Sequence, residues 1–595
     1  MTVSSKIEQF ARQGLIELFQ RDEGIPIQVN DTKPEFAGDY TVVLFSLVKS
    51  FRISPEKLGI QLGNNLIERN PEFFSSYSVI KGFLNLSIAD SVWIDFLSSS
   101  FDDHEYGKKK RIGKKVMIEY SSPNTNKPLH LGHLRNIFLG WSVAEIFNMN
   151  GYDVVKTCIA NDRGIHICKS MMAWKLFAKG ATPASTGIKG DHFVGDYYVL
   201  FNEELKKQVE ELVSAGLSKE EAEKESPLMK GVQQMLVDWE AGSADILELW
   251  QTMNKWVYAG FDATYRRLDV DFDKIYYESN TYLLGKGLVE FGLRQRVFFQ
   301  KPDASVWIDL TAEGLDEKIV QRKDGTAVYI TQDIGLAQLK AEEYSPDLSI
   351  YVVGDEQNYH FKVLKLICQK LSIPAADKIF HLSYGMVELP SGRMKTREGT
   401  VVDADDLLDE MHNEAKRKTQ EQGKTEGIDR AELETLYELI GTGGLRFFLL
   451  RVDPKKRMVF NPEESIDLHG YTATFVQYAY ARIKSILRKD GVLEVLRNSS
   501  LGPGNHLLPL EKALLVQIEK FPAMVDQACL EMNPSLIANF AFVVAKTFNS
   551  FYAEHSVAQA ETLEKKVLRV RLANFTANIL HRSMRLLGIN LPERM

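Results

Sequence analysis

In the middle of the chain, short apolar runs alternate with helical patterns. The run "KVMIEYS", which begins at Lys115, predicts a buried strand. "HLRNIFLGWSVAEIFNMNG" then predicts a helix that ends at Gly151, and "DVVKTCIA" predicts a second strand. A strand, a helix and a strand with short connections form a βαβ unit, which requires a parallel sheet. Further strands are predicted downstream at "SVWIDL", "AVYITQDIG", "LSIYVVGDE" and "IFHLSYGMVEL".

The rest of the chain is organised differently. Residues from about 170 to 290 carry helical patterns rich in charge, as expected of an insertion. From Asp403 to the end only helices are predicted, and one of them presents an apolar face made of Leu568, Leu572, Phe575 and Ile579. We therefore predict a multidomain α/β protein. Its parts are a small α+β N-terminal domain (1–106), a Rossmann-type parallel-sheet domain with the helical insertion (115–402), a helical junction (403–460) and an all-α C-terminal domain (461–595).

Length, charge and composition narrow the class of protein. With 595 residues the chain is too long for one core, so several domains are expected. The formal net charge of −8 argues against a surface coated with basic residues, although basic residues cluster locally. No apolar run of about 18 residues predicts a membrane span, and the start of the chain is typical of an amphipathic helix, not of a secretory leader. The four cysteines form no CxxC pair, so we expect reduced thiols in a cytoplasmic protein.

One local cluster of basic residues is "GKKKRIGKK", residues 107–115. A solvated linker between the first two domains is one interpretation of this stretch. Contact with a phosphate backbone is the other. The sequence leaves both open.

The stretch "SSPNTNKPLHLGHLRN" joins the first predicted strand to the following helix. In a doubly wound sheet ligands bind beyond the carboxyl ends of the strands, so a site is expected here. His130 and His133 are three residues apart, and Gly132 lets a ligand approach closely. A metal would need further ligands, and the nearest histidine and cysteine downstream are not at a recognisable spacing. We therefore favour phosphate binding at a helix N-terminus over a metal site or two packed histidines, and we predict no bound metal.

These residues also carry a resemblance to a known family. "PLHLGH" resembles the HIGH motif of class I aminoacyl-tRNA synthetases, and "IEYSSPNTNKPLHLGHLRN" resembles the arginyl-tRNA synthetase version. "GTAVYITQDIGLA", "YVVGDEQNYHFKVL", "GRMKTREGTVV", "FVQYAYARIKSIL" and "RLLGINLPERM" resemble further blocks of that family, in its order. The resemblance covers residue 115 to the end, and more loosely the part before it. It implies ligation of L-arginine to tRNA(Arg) with ATP and Mg²⁺, through an arginyl-adenylate, by an enzyme that we expect to be a monomer.

The resemblance also implies site residues. It places arginine contacts at Glu119, Asn124, Tyr329, Asp333 and Gln357, and ATP contacts at Lys127, His130, Gly132, His133, Met394 and Lys395. Tyr329 and Asp333 are expected at the end of a predicted strand. Acidic and aromatic groups that converge from separate strands suit a guanidinium. Core packing is the alternative for Tyr329, and a helix N-cap is the alternative for Asp333.

The second class I motif departs from its pattern. The family motif is KMSKS, whereas this chain has "RMKTR", so that a threonine, Thr396, stands at the position of the second lysine. One charge pair at 4 Å has a Coulomb energy of about 4 kcal/mol at an effective dielectric constant near 20. The family resemblance suggests that a lysine just before the HIGH motif compensates. We therefore hypothesise that Lys127 and Lys395 together serve the triphosphate, the alternative being that Lys127 is an ordinary solvated lysine.

The C-terminal helices resemble the anticodon-binding domain of the family. Aromatic and basic residues alternate in "FVQYAYARIKSILRK", where Tyr478, Tyr480 and Arg482 suit unstacked bases and phosphates. Core packing is the alternative for each tyrosine. In "RVDPKKRMVF", Lys455 and Lys456 are candidates for a phosphate contact or for a solvated loop. The resemblance further suggests that the N-terminal domain contacts the tRNA elbow and that arginine activation requires bound tRNA.

Two other functions compete with this one. A different class I synthetase would share the fold, but the blocks "SSPNTNKP" and "LLGINLPERM" argue against it. A non-catalytic tRNA-binding relative would keep only the fold. The intact His130, Gly132 and His133 argue against that relative, and the altered second motif supports it.

Overall fold

The N-terminal part contains a four-stranded antiparallel sheet in the order β1-β2-β4-β3. The structure, a computed structural model, describes residues 2–20, 24–33, 35–388, 390, 402–421, 423, 429–499, 501 and 506–595. The elements of this part are α1 (Val3–Phe19), β1 (Val29–Asp31), β2 (Tyr40–Val43), α2 (Phe45–Phe51), α3 (Pro55–Arg69), β3 (Phe74–Ile80), β4 (Phe83–Ile88) and α4 (Asp90–Ser100). Helix α3 begins where Ser54 accepts the amide of Lys57 and Pro55 fixes the first turn. This part has the predicted α+β character.

Residues 107–114 connect this part to the central sheet without regular structure. Basic side chains of the stretch form ion pairs with carboxylates of the same chain. Lys108 pairs with Glu105, and the Nζ of Lys109 lies 2.6 Å from Asp526. This arrangement favours the linker interpretation of the stretch.

The predicted βαβ unit is confirmed. It consists of β5 (Lys115–Glu119), α5 (Leu131–Met149) and β6 (Asp153–Ala160). Helices follow, as predicted: α6 (Ile165–Phe177), α7 (Pro183–Thr186), α8 (Gly190–Ser214), α9 (Lys219–Glu225), α10 (Pro227–Glu240) and α11 (Ala244–Arg267). The strand β7 (Lys274–Tyr277) then returns to the sheet, so the range 170–290 is not helical throughout.

The second half of the central domain begins with two helices and a small antiparallel sheet. Its elements are α12 (Glu278–Thr281), α13 (Lys286–Arg294), β8 (Phe299–Gln300), β9 (Val306–Ile308), β10 (Lys318–Gln321), α14 (Tyr329–Tyr344), β11 (Leu348–Gly354), α15 (Asn358–Lys370), β12 (Ile379–Tyr384) and β13 (Val387–Glu388). Strands β5, β6, β7, β11 and β12 form one parallel sheet in the order β12-β11-β5-β6-β7. The Rossmann-type parallel sheet is therefore confirmed.

The strand predicted at "AVYITQDIG" is wrong, because Tyr329 starts the helix α14. The alternation of Val328, Ile330 and polar neighbours suggested a strand. In the structure Ile330, Ile334 and Ala337 are buried together, which is helical spacing. The apolar contacts of these residues with the small sheet and with α15 outweigh the local alternation.

The C-terminal part is almost entirely helical. Its elements are α16 (Ala404–Glu421), α17 (Arg430–Leu450), β14 (Met458–Val459), α18 (Pro462–Ser465), α19 (Ala473–Leu487), α20 (Val492–Asn498), α21 (Pro509–Glu519), α22 (Phe521–Glu531), α23 (Ser535–Glu554) and α24 (Leu563–Leu586). The strand β14 pairs in parallel with β13, so the prediction of helices alone is wrong at these two residues. The predicted apolar face of α24 is confirmed, because its four members are buried. Across the described residues, the helices lack the combination of length and apolar character that a membrane span needs.

Buried polar contacts join the two ends of the chain. A carboxylate oxygen of Glu519, at the end of α21, accepts the amide of Val3 at 2.6 Å, and the other accepts the hydroxyl of Tyr40 at 3.2 Å. The hydroxyl of Tyr106 donates to the carbonyl of Glu519 at 3.1 Å. The N-terminal sheet therefore packs on the C-terminal helices.

Candidate active site

The carboxyl edge of the parallel sheet contains a topological switch point. From β5 the chain continues through α5 to β6 on one side, whereas β11 lies on the other side of β5 and leads through α15 to β12. Ligands bind in the crevice at such a point. The loop after β5 (residues 120–130) and the turn after β11 (residues 355–357) follow these two neighbouring strands. Most of the residues predicted to contact arginine or ATP come from this edge.

The turn after β5 has an unusual backbone conformation. Ser121 and Ser122 have φ angles of 76° and 48°, which residues with a side chain rarely adopt. The amide of Ser121 donates to Oδ1 of Asn136 at 2.6 Å, and its hydroxyl lies 2.7 Å from the hydroxyl of Tyr265. The Nδ2 of Asn136 also donates to the carbonyl of Val352 on β11 at 2.6 Å. Backbone strain that the surroundings hold in place in this way is concentrated at functional sites.

His130 and His133 cap α5 reciprocally. The Nδ1 of His130 accepts the amide of Gly132 at 3.1 Å, and the Nδ1 of His133 accepts the amide of His130 at 3.1 Å. An imidazole that accepts at Nδ1 carries its proton on Nε2, so each ring has one Nε2–H donor. Burial and the charge of Lys127 lower the pKa of His130 to about 3, and burial holds the pKa of His133 well below its usual value. Both rings are therefore neutral donors near pH 7.

The two rings lie against each other at the positive end of the helix dipole. Their centroids are 3.9 Å apart. A Cβ on residue 132 would lie 3.0 Å from the ring of His130, which explains the glycine between the histidines. Two neutral donors at a helix N-terminus form a site for an anion.

Lys127 lies beside these histidines. It lines a cavity of about 220 Å³ together with His130 and residues of α8. Helix α8 packs closely here, because a Cβ on Gly195 would lie 2.7 Å from Cδ of Pro128. Burial lowers the pKa of the Lys127 ammonium. Within the part of the chain that the structure describes, Lys127 has no carboxylate at ion-pair distance, which suits an anionic ligand.

Glu119, a predicted arginine contact, already has a cationic partner. Its Oε2 forms an ion pair with the Nζ of Lys340 on α14. Lys340 is 1% exposed and Glu119 is 8% exposed, and the ammonium lies 4.6 Å from the ring centroid of Tyr351. The charge of Glu119 is therefore neutralised inside the protein. Sequence reasoning missed Lys340, since a single lysine in a helix gives no signal for a partner 221 residues away.

Tyr329 and Asp333 lie one helical turn apart at the start of α14, not at a strand end. Tyr329 is 72% exposed, so the core-packing alternative is wrong. Asp333 lies within the first turns of the helix and does not cap it, because Val328 precedes the first residue. An Oδ2 of Asp333 lies 2.6 Å from Nε2 of His360 on α15. Both side chains remain accessible for a ligand.

A second carboxylate near Asp333 was missed by sequence reasoning. Glu278 begins α12, directly after β7. Burial raises its pKa to about 7, the charge of Arg163 opposes this, and the negative charges of Asp162 and Asp333 add to it. Asp162 is itself satisfied, since its carboxylate accepts Ser279 and Tyr258. Glu278 and Asp333 are thus close enough for their charges to interact, and a bound cation would stabilise both carboxylates.

The remaining predicted residues lie in different places. Asn124 is exposed in the loop after β5, where it forms a parallel bridge with Asn161. Gln357 is exposed in the turn after β11. Met394 and Lys395 lie outside the described residues. Asn124 and Gln357 therefore flank the switch point from its two sides.

The predicted tRNA contacts on α19 differ in accessibility. Tyr480 is 7% exposed, because it faces the helical core, which agrees with the packing alternative and not with base stacking. Tyr478 and Arg482 are half-buried, and the guanidinium of Arg482 lies 4.8 Å from the Tyr478 ring centroid. Arg482 also donates to Oδ1 of Asn549 at 2.6 Å. Tyr478 and Arg482 are the accessible members of this set.

Lys455 and Lys456 lie in an exposed loop beside α5. The guanidinium of Arg135 donates to the carbonyls of Pro454 and Lys456 at 3.2 and 2.7 Å. The amide of Gly385, just before β13, donates to Pro454 at 2.9 Å. These contacts hold the loop against α5 and the residue before β13, with both lysine side chains exposed.

Comparisons with known proteins agree with this geometry. A family model described as "tRNA synthetases class I (R), catalytic domain" matches residues 97–461, and one described as "DALR anticodon binding domain" matches residues 476–595. The chain is 49% identical to the arginine–tRNA ligase of Bacteroides thetaiotaomicron, with 100% of both chains covered. It is also 49% identical to the arginine–tRNA ligase of Flavobacterium psychrophilum, with 96% of each covered.

Solved structures show the same fold. The Thermus thermophilus arginyl-tRNA synthetase aligns with a TM-score of 0.77 at 24% identity, with 100% of both chains covered. The paired histidines, the parallel sheet and the helical C-terminal part thus occur together with full-length similarity to curated relatives. The chain belongs to the arginyl-tRNA synthetases, a family of class I aminoacyl-tRNA synthetases.

Proposed function

We propose that this arginyl-tRNA synthetase activates arginine at the switch point between β5 and β11, with His130 and His133 as neutral donors to the phosphates of ATP. The reciprocal capping of the two histidines carries the proposal, because it directs an Nε2–H of each ring away from the helix backbone. Lys127 supplies a positive charge in the same cavity. A different class I synthetase would not explain the full-length similarity to arginine–tRNA ligases. A non-catalytic relative would not explain the paired histidine donors.

The reaction has two steps. An oxygen of the arginine carboxylate attacks the α-phosphorus of ATP, the bond to the β-phosphate oxygen breaks, and pyrophosphate leaves with the pair of electrons. The terminal ribose 2′-hydroxyl of tRNA(Arg) then attacks the arginyl carbonyl and releases AMP. Donors fixed before the reaction stabilise charge on the phosphate oxygens as it develops in the first step. Neutral imidazoles suit this role because they donate without a change of protonation.

Arginine recognition is assigned to the pocket around Asp333 and Glu278. Because Lys340 neutralises Glu119, the guanidinium charge is met by Asp333 and Glu278. The accessible ring of Tyr329 offers a surface for the planar guanidinium. Asn124 and Gln357, which flank the switch point, would contact the α-amino and carboxylate groups of arginine. A lysine substrate would leave acceptors of this pocket unpaired, so discrimination does not require editing.

ATP enters with Mg²⁺. The carboxylates of Asp196 and Asp406 line the cavity beside Lys127, and carboxylate oxygens are ligands that Mg²⁺ prefers. When bound, the ion neutralises phosphate charge.

We further propose that Tyr478 and Arg482 contact the anticodon arm and that Lys455 and Lys456 contact a tRNA phosphate. A cytoplasmic monomer remains a prediction.

The test of this function is ATP–pyrophosphate exchange with each amino acid, with and without tRNA(Arg). We expect exchange with arginine and with no other amino acid, and only when tRNA(Arg) is present. Exchange with another amino acid would assign a different synthetase. Absence of exchange with all amino acids and tRNA would instead assign a non-catalytic tRNA-binding protein.

Replacing Asp333 by asparagine is expected to raise the arginine KM by about 10- to 100-fold, because a hydrogen bond to a charged group contributes roughly 1.5–3 kcal/mol. The ATP KM should change little. Both constants are measured by exchange with tRNA present. Asp324→Asn is the matched control, since Asp324 lies in an exposed turn and should leave both constants unchanged. An unchanged arginine KM in Asp333→Asn would remove Asp333 from the pocket.

A further inference from the structure

The first turn of α16 is attached to the helical insertion by a group of polar side chains. The Nζ of Lys189, at the N-cap of α8, lies 2.6 Å from Oδ2 of Asp405 and 3.0 Å from Oδ2 of Asp191. It also donates to Oγ1 of Thr264 on α11 at 2.6 Å. Thr264 in turn donates to Oδ1 of Asp405 at 3.1 Å. Asp405 thus binds two separate helices of the insertion.

His192 is the second basic member of this group. Its Nε2 lies 3.0 Å from Oδ2 of Asp405 and 3.4 Å from Oδ1 of Asp403. The ligand atoms of Asp191, His192 and Asp405 are close enough together to hold a metal ion. The ammonium of Lys189 already contacts both aspartates, so the protein supplies its own cation there. We call Lys189, Asp191, His192, Thr264, Asp403 and Asp405 the α8–α16 cluster.

The α8–α16 cluster is joined directly to the first class I motif. Asp403 forms an antiparallel bridge with His130. The amide of Leu131 donates to the carbonyl of Val402 at 3.1 Å, and the amide of Ala404 donates to the carbonyl of Leu129 at 3.0 Å. Residues 402–404 are therefore hydrogen-bonded through their backbone to the residues around His130. A shift of the first turn of α16 would move the backbone of His130.

We propose that Lys189 and His192 are positioning residues for ATP. They hold Asp403 and Asp405 in place and thereby fix His130 at the phosphates. This inference rests on the proposed function, because it assumes that ATP binds at His130. It assigns to the helical insertion a part in adenylate formation. The positioning role acts through the backbone of 402–404, and His192 also lines the cavity beside Lys127.

The charges around His192 predict a pH signature. The groups that face it are Lys189, Asp191 and Asp196 from the α8 side, and Asp403 and Asp405 from the α16 side. The hydrogen bond to Asp405 raises the pKa of His192 above its usual value, against the effect of burial. A group whose pKa is raised by folding contributes fully at low pH, and its contribution is lost as the pH rises through that pKa. The attachment of α16 should therefore weaken above the pKa of His192.

The experiment measures arginine-dependent ATP–pyrophosphate exchange with tRNA(Arg) in His192→Ala and His192→Gln. The alanine variant is expected to raise the ATP KM by about five- to tenfold, less than a lost direct contact would, because the lost hydrogen bond to Asp405 acts on ATP only through the backbone of 402–404. The arginine KM should stay within about twofold. Glutamine donates a hydrogen bond without titrating, so its ATP KM should remain close to that of the wild type.

The pH profile separates positioning from general stability. Between pH 6 and 9 the ratio of the wild-type ATP KM to that of His192→Gln should rise as His192 loses its proton. A merely structural role would leave this ratio constant.

His412→Ala is the matched control. His412 also lies on α16 and is bonded to two carboxylates, those of Glu434 and Glu438, at 3.0 Å each. It lacks a bridge to His130 among the described contacts. The His412→Ala variant should lower the melting temperature as much as His192→Ala does, and its ATP KM should stay unchanged.

Two outcomes would overturn the inference, and neither affects the proposed function. One is an ATP KM in His192→Ala that matches the wild type. The other is an equal rise in the ATP and arginine KM, which would indicate general loosening. Absence of exchange in the wild type would instead contradict the proposed function itself.

Discussion

His133→Asn is expected to lower the rate of adenylate formation by about 10²- to 10³-fold, as removal of one preorganised donor does in other active sites. The amide oxygen of asparagine can replace Nδ1 as the acceptor for the amide of His130, so α5 keeps its cap. The Nε2–H donor is lost. The measurement is single-turnover formation of arginyl-adenylate with tRNA(Arg) bound.

The matched variant is His133→Gln, whose side-chain amide reaches the position of Nε2 and loses the capping acceptor. We expect it to retain more activity than His133→Asn and to melt at a lower temperature. If the histidine served only the helix cap, the order of the two activities would be reversed. Burial and Lys127 lower the pKa of His130 to about 3, and the pKa of His133 is also well below its usual value, so both rings are neutral near pH 7. A rise in pH from 6 to 8 should therefore not lower the rate through loss of a proton from either ring.

The scaffold of the site could be predicted from the sequence because its signals are local. Strands β5 and β6 and the helix α5 are marked by buried runs and by Gly151, and the structure has them where the sequence predicts. The pairing of His130 with His133 is likewise a matter of three residues. Each of these features is decided by neighbours in the chain.

The side-chain partners of the arginine pocket could not be predicted, since they depend on contacts between distant segments. Glu119 meets Lys340 across 221 residues, and the neighbours that raise the pKa of Glu278 come from other elements. For α14, the residues around Tyr329 have a strand-like alternation. Only the packing of Ile330 and Ile334 against the small sheet decides for a helix.

The pairing of Glu119 with Lys340 changes the assignment of charge in the site. A free Glu119 would have attracted the guanidinium, and the family resemblance implied an arginine contact at this residue. The proposed function therefore leaves the substrate charge to Asp333 and Glu278, on two elements that meet only in the folded protein. In the proposed function the specificity of the arginine site depends on tertiary packing, whereas the two histidines of the phosphate site come from one motif.

Lys127→Met is expected to lower the rate of adenylate formation by about 10²- to 10³-fold, with a much smaller rise in the arginine KM. A charge pair at 4 Å has a Coulomb energy of about 4 kcal/mol at an effective dielectric constant near 20, which corresponds to about 10³ in rate. Methionine keeps the length and apolar contacts of the stem, so the packing of Pro128 on α8 should persist. The assays are the same as for His133.

Two variants frame this result. Lys127→Arg keeps the charge and should restore part of the rate. Lys114→Met removes an exposed lysine at the opposite end of β5 and should leave the rate unchanged. Near wild-type turnover in Lys127→Met would show that the triphosphate does not depend on this ammonium.

Lys127 is expected to have this large effect because two observations converge on it. Thr396 replaces a lysine that the second motif of the class normally supplies, so one positive charge has to come from elsewhere. Burial lowers the pKa of the Lys127 ammonium, because a buried positive charge costs free energy unless an anion compensates it. A triphosphate at His130 would provide that anion and raise the pKa again. The same interaction would therefore stabilise the lysine and replace the missing charge, and its loss should appear in the rate of adenylate formation.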